Sequence, residues 1–316
     1  MNILKSKNSA IKLVLIVSIL SIGFSSCSVQ RLVVGMLSDT LAGTGASGNA
    51  FMRDNDPELV GDALPFTIKL YELILDMNPN HRPLILTTGS LFIMYANAFV
   101  WTPAETLPFE FFDQQLAART RARNLYLRGR DMLLSGMDLK YRGFKEAALN
   151  GQIESFLPRF TKDDVAYLYW IGAGWFGAFT LDTFDLELAV SARTAADLIF
   201  RAYELDPDFD NRTLDEFFIA FHAVAPDGLG ANRDLVDYHF QRVLEVRGDT
   251  SVGPFVAMAQ NVAVTQQNFR LFDEMITRAK SIDLQLDENQ MLLNTINLRK
   301  TLWLRENQEF LFLELE

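Results

Sequence analysis

The sequence predicts an all-α protein, built as an irregular tetratricopeptide-like helical repeat (an α-solenoid). Residues 195–209, AADLIFRAYELDPDF, carry the apolar spacing of the second helix of such a repeat: one stripe at offsets of four and seven residues, then a proline that ends the helix. Three further segments, 67–79, 236–248 and 272–284, align with it without gaps. No stretch shows the apolar–polar alternation of a strand. The stripe and end positions are Ala195, Ile199, Ala202 and Pro207; Tyr71, Ile74 and Pro79; Phe240, Val243 and Gly248; and Ile276, Ala279 and Leu284.

Charge and cysteine content exclude several classes of function. The 316-residue chain has a net charge of −11 at pH 7, and an acidic surface repels phosphate backbones, so no nucleic-acid partner is expected. Hydrophobic residues make up 49% of the chain, which is ample for a core. The only cysteine is Cys27, so an intramolecular disulfide and a cysteine-based metal cluster are excluded.

The N-terminal residues have the pattern of a secretory signal. Three lysines precede or flank the start of an apolar run at residues 13–20, which is too short to span a membrane comfortably. The sequence FSSC at 24–27 resembles a bacterial lipobox, in which Cys27 is acylated and becomes the new N-terminus; an ordinary signal peptide or an uncleaved anchor with an incidental cysteine is the alternative. The predicted divisions are a signal peptide at 1–26, a lipid-anchored tether at 27–52 and a helical-repeat domain at 53–316.

The tether contains a glycine-rich sequence that could be interpreted as a dinucleotide-binding motif. Gly43, Gly45 and Gly48 satisfy the G-x-G-x-x-G pattern of dinucleotide-binding proteins. No β-α-β unit follows them, so a flexible tether is the favoured interpretation and no cofactor is expected. An ordered apolar segment at 32–37 that packs on the domain is the alternative.

Start and stop residues predict the helices of the domain in order. Asp56 is a good N-cap for a helix that begins at Pro57 and runs to about Met77. Thr161 and Asp164 have the spacing of a capping box, with Asp in place of the usual Glu or Gln. Further helices are predicted near 83–101, 109–139, 165–181 and 287–308, with a short one within 141–160 and another that starts at Thr213 and ends before 227–230.

Two of these segments are almost uncharged. The runs LFIMYANAFVW at 91–101 and VAYLYWIGAGWFGAFTL at 165–181 approach the length of a membrane span, so a transmembrane hairpin is one interpretation. Small residues recur in the second run and allow close helix packing. Buried central helices of a repeat stack are the favoured interpretation.

The helix predicted at 109–139 carries the chain's one basic stretch. Its arginines are either a docking patch for an acidic partner or a solvated face paired with nearby acids, and the second interpretation is favoured. They are Arg119, Arg121, Arg123, Arg128 and Arg130.

Aromatic residues are concentrated in the two apolar runs. If the runs face each other, their side chains line an apolar cleft for a hydrophobic ligand; filling the core is the alternative. The candidate cleft residues are Tyr95, Phe99, Trp101, Trp170 and Trp175.

The sequence contains no recognisable catalytic or metal-binding motif. His81, His222 and His239 are the only histidines, and none stands in a metal-binding spacing. Nucleophile-elbow and phosphate-loop motifs are missing. Solvation and helix capping are the favoured explanation of the acidic residues, and a catalytic carboxylate pair is the alternative. A non-enzymatic protein without a metal is therefore expected.

Long segments of the domain resemble one known family. They are DPELVGDALPFTIKLYELILDMNP (56–79), LTTGSLFIMYANAFV (86–100), RARNLYLRGRDMLLSG (121–136) and HFQRVLEVRGDTSVGPFVAMAQNVAVTQQNFRLFDEMITRAKSID (239–283). Together they resemble the TatT family, the T-component lipoproteins associated with TRAP transporters. The resemblance implies a tetratricopeptide-like fold, a lipid-anchored periplasmic location, association with a periplasmic solute-binding protein, and trimers with an apolar cavity or pore. It carries over one functional residue, the lipidated Cys27, and no catalytic motif.

The expected function is that of an accessory scaffold. It docks a solute-binding protein near the membrane and passes or binds a hydrophobic solute. Ser28 after the lipidated cysteine permits sorting to the outer membrane. The alternative is a general envelope or outer-membrane assembly scaffold that binds proteins through its repeats; an all-α enzyme with a polar constellation in the cleft is a third class.

Overall fold

The computed structural model describes Gly35, residues 37–39 and residues 47–314, and the all-α prediction is confirmed for them. Described residues form helices, turns and loops, and none of them is in a strand. Cys27 and the signal peptide lie outside the described residues, as does most of the tether. The repeat architecture and the domain boundaries stay predictions.

The helices follow one another with short connections, and the long ones pack side by side. The elements are α1 Ser47–Met52, α2 Pro57–Met77, α3 Arg82–Tyr95 with its continuation Ala96–Glu105, α4 Phe112–Lys140, α5 Phe144–Leu149, α6 Val165–Leu181, α7 Leu186–Leu205, α8 Phe209–Val224, α9 Val236–Arg247, α10 Gly253–Ala257 with its continuation Met258–Ala263, α11 Phe269–Ser281, α12 Met291–Glu306 and α13 Gln308–Leu311. α3 packs against α2 and α4, α6 against α4 and α7, and α8 against α9.

The predicted start of α2 is confirmed in detail. The Asp56 side chain accepts a hydrogen bond of 3.0 Å from the backbone N–H of Leu59, which satisfies one of the free donors of the first turn. Pro57 occupies the first helical position, where a missing N–H costs nothing, and the helix ends at Met77.

The predicted repeat stripes are buried on their helices. Ala195, Ile199 and Ala202 lie on α7, which ends at Leu205 just before the Asp206–Pro207 turn. The stripes of α2, α9 and α11 are buried too, and Gly248 ends α9 with a φ of 53°. α11 is shorter than predicted, because its last helical residue is Ser281 and the chain turns extended there.

The hydrophobic core forms two clusters. The first joins α2 to α7, and the second joins α9 to α12 and Phe312, which follows α13. α8 contributes to both, with Phe218 in the first and Ile219 in the second. α12 also touches both, since Leu292 belongs to the first cluster and Leu304 to the second. Helix α12 therefore lies close to the early helices of the described residues.

One helix of the described residues, Arg82–Glu105, is long and apolar enough to cross a membrane. It packs against α2, α4 and α6, and 56% of its most apolar window is buried inside the protein. The second apolar run forms α6 between α4 and α7, with Leu168, Ile171 and Trp175 fully buried. These are the positions of core helices, as the favoured interpretation expects.

Three of the five arginines of α4 pair with acids, in line with the favoured interpretation. Arg123 forms an ion pair with Asp185 at the N-cap of α7, and Arg128 forms one with Glu72 on α2. Arg130 pairs with its neighbour Asp131. Arg119 uses its Nε–H to cap the carbonyl of Leu181 at the end of α6.

A buried acid at the start of α6 was not expected. Asp164 Oδ2 accepts from the backbone N–H of Thr161 at 3.1 Å, as the capping-box prediction requires. The carboxylate is fully buried, however, and also accepts from Lys140 Nζ at 2.8 Å and from the Tyr141 hydroxyl at 2.6 Å. Burial by itself raises the pKa of Asp164, but these donors outweigh it, so the pKa lies below its usual value. Asp164 therefore joins α4 to α6 as well as capping a helix.

The first turn of α8 departs from regular geometry. Residues 210–212 have φ values of 44°, 52° and 73°, in the left-handed region. Arg247 on α9 donates to the carbonyl of Asn211 at 2.7 Å, which holds this turn. Regular helical geometry begins at Thr213, the start predicted from the sequence.

Candidate functional site

The clearest candidate site is a cavity where α12 meets α2 and α3. It lies between the first turns of α2, the C-terminal part of α3 and the middle of α12, and its volume is about 530 Å³. Pockets that bind small molecules commonly measure ~300–1,000 Å³. Its apolar wall includes Tyr95, Ala98, Phe99, Ile296 and Trp303, and its polar rim includes Glu58, Asp62, Arg299 and Lys300.

The α3 wall of the cavity is π-helical. At residues 96–101 the helix widens, and the backbone N–H of Thr102 bonds to the carbonyl of Asn97, five residues back. The Asn97 side chain accepts a 3.0 Å hydrogen bond from the buried Tyr126 hydroxyl, and Phe99 stacks on Tyr95 with ring centres 5.8 Å apart. Single π-helical turns are frequent at functional sites, because the extra residue re-aims the side chains around it.

A glycine brings α2 onto this wall. A Cβ built on Gly61 stands 2.8 Å from Phe99 Cδ1, closer than carbon atoms tolerate. Only glycine therefore allows α2 to pass this close to the Phe99 ring. The arrangement fixes the aromatic wall against a rigid helix.

Two ion pairs beside the cavity join α12 to α2 and α3. Arg299 on α12 pairs with Glu58 in the first turn of α2, and Lys300 pairs with Glu105 at the end of α3. The hydrogen bond from Arg299 is the main cause that holds the pKa of Glu58 below its usual value. A ligand in the cavity would meet aromatic and aliphatic surface on its apolar side and charged groups at the rim.

The structure divides the predicted cleft residues among different places. Tyr95 and Phe99 line the cavity. Trp101 is half-buried against the first core cluster, and Trp170 packs edge-on against Tyr169 with ring centres 5.1 Å apart. The two apolar runs do not face each other across one cleft that all five residues share.

Trp175 lies at a second cavity, between α4 and α7, of about 670 Å³. Its indole N–H donates to Ser191 Oγ at 2.8 Å, and the guanidinium of Arg130 lies 4.7 Å from the centre of its ring. The side chain is fully buried, so it forms the floor of this cavity and holds α6 to α7.

Sequence reasoning missed the α12 wall. Ile296, Arg299, Lys300 and Trp303 stand at offsets of three, four and seven residues, which place them on one helix face. That spacing is the only signal in the sequence, and it does not say what the face opposes. Glu58 and Arg299 are 241 positions apart, so their contact depends on how all the helices between them pack.

A buried polar cluster joins α7, α8 and α9. Asp215 is fully buried, and its Oδ1 accepts from the Tyr203 hydroxyl at 3.0 Å and from Arg242 Nε at 3.2 Å; His239 Nδ1 lies 2.7 Å away. Donors from the protein itself occupy the hydrogen-bonding positions of this carboxylate, so it is not free to act on a ligand. Among the described residues, no group of three or more His, Cys, Asp or Glu side chains is arranged to hold a metal ion.

His222 stands beside this cluster in an uncharged state. Its ring stacks on that of His239 with centres 5.2 Å apart, and its Nδ1 accepts from the backbone N–H of Asn232 at 3.1 Å. Burial, with smaller effects of His239 and Arg233, lowers the pKa of His222 from 6.5 to about 4. The cluster is therefore a structural joint between the two core clusters.

Comparisons with known proteins place these helices in a family. The family model for the TRAP transporter T-component matches residues 53–312, a range that contains every helix around the cavity. A protein of Treponema pallidum (strain Nichols), described as an uncharacterized protein, is 32% identical over 304 residues, which cover 92% of this chain and 94% of that protein. The matched family is a transport component and not an enzyme family. On this match, the chain belongs to the TRAP transporter T-component family.

Proposed function

We propose that this chain is a lipid-anchored, periplasmic accessory component of a TRAP-type transport system. Family membership implies the accessory role in TRAP transport. The proposal adds that the helical domain docks the periplasmic solute-binding protein, associates as a trimer, and holds the apolar part of a solute. The anchor is Cys27, and Ser28 favours the outer membrane as its destination.

The cavity between α2, α3 and α12 is the observation that carries the solute-binding part. It has the volume of a small-molecule pocket, an aromatic wall at Tyr95, Phe99 and Trp303, and a π-helical turn in that wall. The arrangement favours a solute with an apolar body, which lies against these rings, and a polar end, which meets Arg299 or Lys300 at the rim.

Tethering gives the accessory role a physical basis. A membrane anchor turns docking of a soluble partner into an encounter at raised local concentration, with no new contact between the proteins. One acyl chain gives marginal membrane binding, whereas the two or three chains of a bacterial lipoprotein hold it stably.

The solute-binding part is tested by filling the cavity. In Ala98→Phe a benzyl group replaces the methyl group on the cavity wall, and in the control Thr180→Phe the same benzyl group is placed at an exposed position on α6. Both proteins are purified from native membranes, and small molecules extracted from them are compared by mass spectrometry. We expect one compound to accompany the wild type and Thr180→Phe and to be lost from Ala98→Phe. Equal recovery from all three would place the solute elsewhere.

A further inference from the structure

The outer face of α2 carries an exposed apolar stripe that the described chain does not cover. Leu59, Phe66, Leu70, Leu73 and Met77 are 60%, 72%, 38%, 61% and 55% exposed. Large apolar side chains scattered singly over a surface are ordinary, but a continuous row of them marks an interaction surface.

The spacing of the stripe is that of a coiled coil. The five residues, with Ala63 between the first two, stand at alternating offsets of four and three, so all six occupy the a and d positions of consecutive heptads. The opposite face of α2 is buried in the core through Leu64, Ile68 and Tyr71. At 1.5 Å of rise per residue the row from Leu59 to Met77 is about 27 Å long. An a/d row of this length matches the side chains of another helix laid along it.

Charged residues follow one edge of the stripe at heptad spacing. Asp62, Lys69 and Asp76 are exposed and each precedes an a position, so they are g residues. The e positions on the other edge, Val60 and Ile74 among them, turn into the protein. The charge pattern along the stripe is therefore negative, positive, negative.

This pattern argues against a second copy of the chain as the occupant. Two α2 helices laid antiparallel with the full stripe covered place Asp62 of one copy opposite Asp76 of the other, and Lys69 opposite Lys69. Like charges across a coiled coil disfavour the pairing. An anionic membrane surface is disfavoured as well, because Asp62 and Asp76 carry the same sign as its headgroups.

We propose that the α2 stripe docks an amphipathic helix of another protein, whose charges along the same edge run positive, negative, positive. Such a helix buries the apolar row and pairs with Asp62, Lys69 and Asp76. The inference does not depend on the proposed transport function, since it defines the partner by the α2 surface alone.

Synthetic helices of three heptads, about 21 residues, provide the test. Both probes carry Leu at a and d and equal net charge. The complementary probe has Lys, Glu and Lys at the three paired positions, and the inverted probe has Glu, Lys and Glu. Binding of each labelled probe to the full chain is measured by fluorescence anisotropy. We expect the complementary probe to bind about tenfold more tightly than the inverted one.

Variants of the stripe separate this proposal from general stickiness. Leu73→Asp should weaken the complementary probe by more than about tenfold, whereas the control Leu149→Asp, at an exposed leucine on α5, should not. The triple variant Asp62→Lys, Lys69→Glu and Asp76→Lys should reverse the order of the two probes. All changed residues are exposed or at the helix surface, and thermal unfolding checks that each variant is folded.

Three results would overturn the proposal. Equal binding of the two probes would show that the charge pattern selects nothing. A change of oligomeric state in Leu73→Asp, measured by sedimentation velocity, would make the stripe an interface between copies of this chain. Loss of binding to phosphatidylglycerol vesicles in the same variant would make it a membrane-contacting face.

Discussion

Arg299 on α12 donates two hydrogen bonds to the carboxylate of Glu58 in the first turn of α2, one of them 3.0 Å long. The two residues are 241 positions apart, so this pair and Lys300–Glu105 tie the last long helix to the first two across the cavity. The cavity is thus formed where α12 meets both α2 and α3, and not by any one helix pair.

The two cross-cavity ion pairs differ in exposure, which predicts different costs of removal. Glu58 and Arg299 are more than half exposed, so Glu58→Gln should change the free energy of unfolding by less than about 1 kcal/mol. Glu105 and Lys300 are largely buried, so Glu105→Gln leaves a charge without its partner and should cost about 1–3 kcal/mol. Urea unfolding of both variants measures the difference. Equal costs would contradict the expectation that the buried Lys300–Glu105 pair stabilises the fold more than the exposed Arg299–Glu58 pair.

Replacement of the buried acid at the α7–α8–α9 joint should be strongly destabilising. Asp215→Asn removes the charge that Arg242 and His239 surround, and a buried ion pair broken on one side typically costs about 3–5 kcal/mol. Asp208→Asn is the matched control, because Asp208 also faces Arg212 and Arg242 but is 72% exposed. We expect its cost to stay below about 1 kcal/mol in the same urea titration.

The lowered pKa of His222 predicts a loss of stability in mild acid. The folded state binds the proton only near pH 4, whereas the unfolded chain binds it near pH 6.5. Between these values the unfolded state holds more protons, so the free energy of unfolding falls as pH falls through this window. His222→Gln keeps an acceptor for the Asn232 N–H without a titrating ring. The wild type should lose stability relative to this variant from pH 6.5 down to about 4; parallel curves would refute the assignment.

Close packing of α6 on α7 depends on a single glycine. A Cβ on Gly172 would stand 2.4 Å from Ile199 Cγ1, so Gly172→Ala forces the two helices apart or Ile199 out of its rotamer. Overpacking of this kind costs about 1–3 kcal/mol. Gly228→Ala is the control, because nothing lies within 4 Å of its added methyl group. Thermal unfolding of both variants should show a lower melting temperature for Gly172→Ala alone.

Membrane attachment through Cys27 is tested by fractionation. Cys27→Ala should move the protein from the membrane to the soluble periplasmic fraction, because no acyl chain can be attached. Ser26→Ala keeps the cysteine and serves as the control. Retention of Cys27→Ala on the membrane would contradict the anchor.

Local signals in the sequence were enough for the helices and their buried faces. Asp56 and Pro57 mark the start of α2, and Ala195, Ile199 and Ala202 mark the buried stripe of α7. These features depend on residues within one or two turns of each other, where capping and helical periodicity decide the outcome. The helical character of the apolar runs followed for the same reason.

Long-range contacts account for what the sequence did not reveal. Asp164 and Asp215 look like ordinary surface acids in the sequence, and only packing against α4 and α9 makes them buried centres of hydrogen bonds. The π-helical turn at residues 96–101 has no short sequence signal. The α12 wall of the cavity is defined only by the packing of α12 against α2 and α3, which the sequence does not show. Of the residues predicted to line one cleft, Tyr95 and Phe99 line the cavity beside α12, whereas Trp175 lines the second cavity.

The proposed docking role is tested most directly by measuring whether the chain binds a TRAP solute-binding protein. The lipidated chain, purified in mild detergent, is titrated with the solute-binding protein of the same organism's TRAP system, and association is followed by light scattering and calorimetry. We expect saturable binding with a fixed stoichiometry. Absence of binding by the folded chain, together with recovery of envelope-assembly proteins alone from periplasmic extracts, would contradict it and indicate a general envelope scaffold.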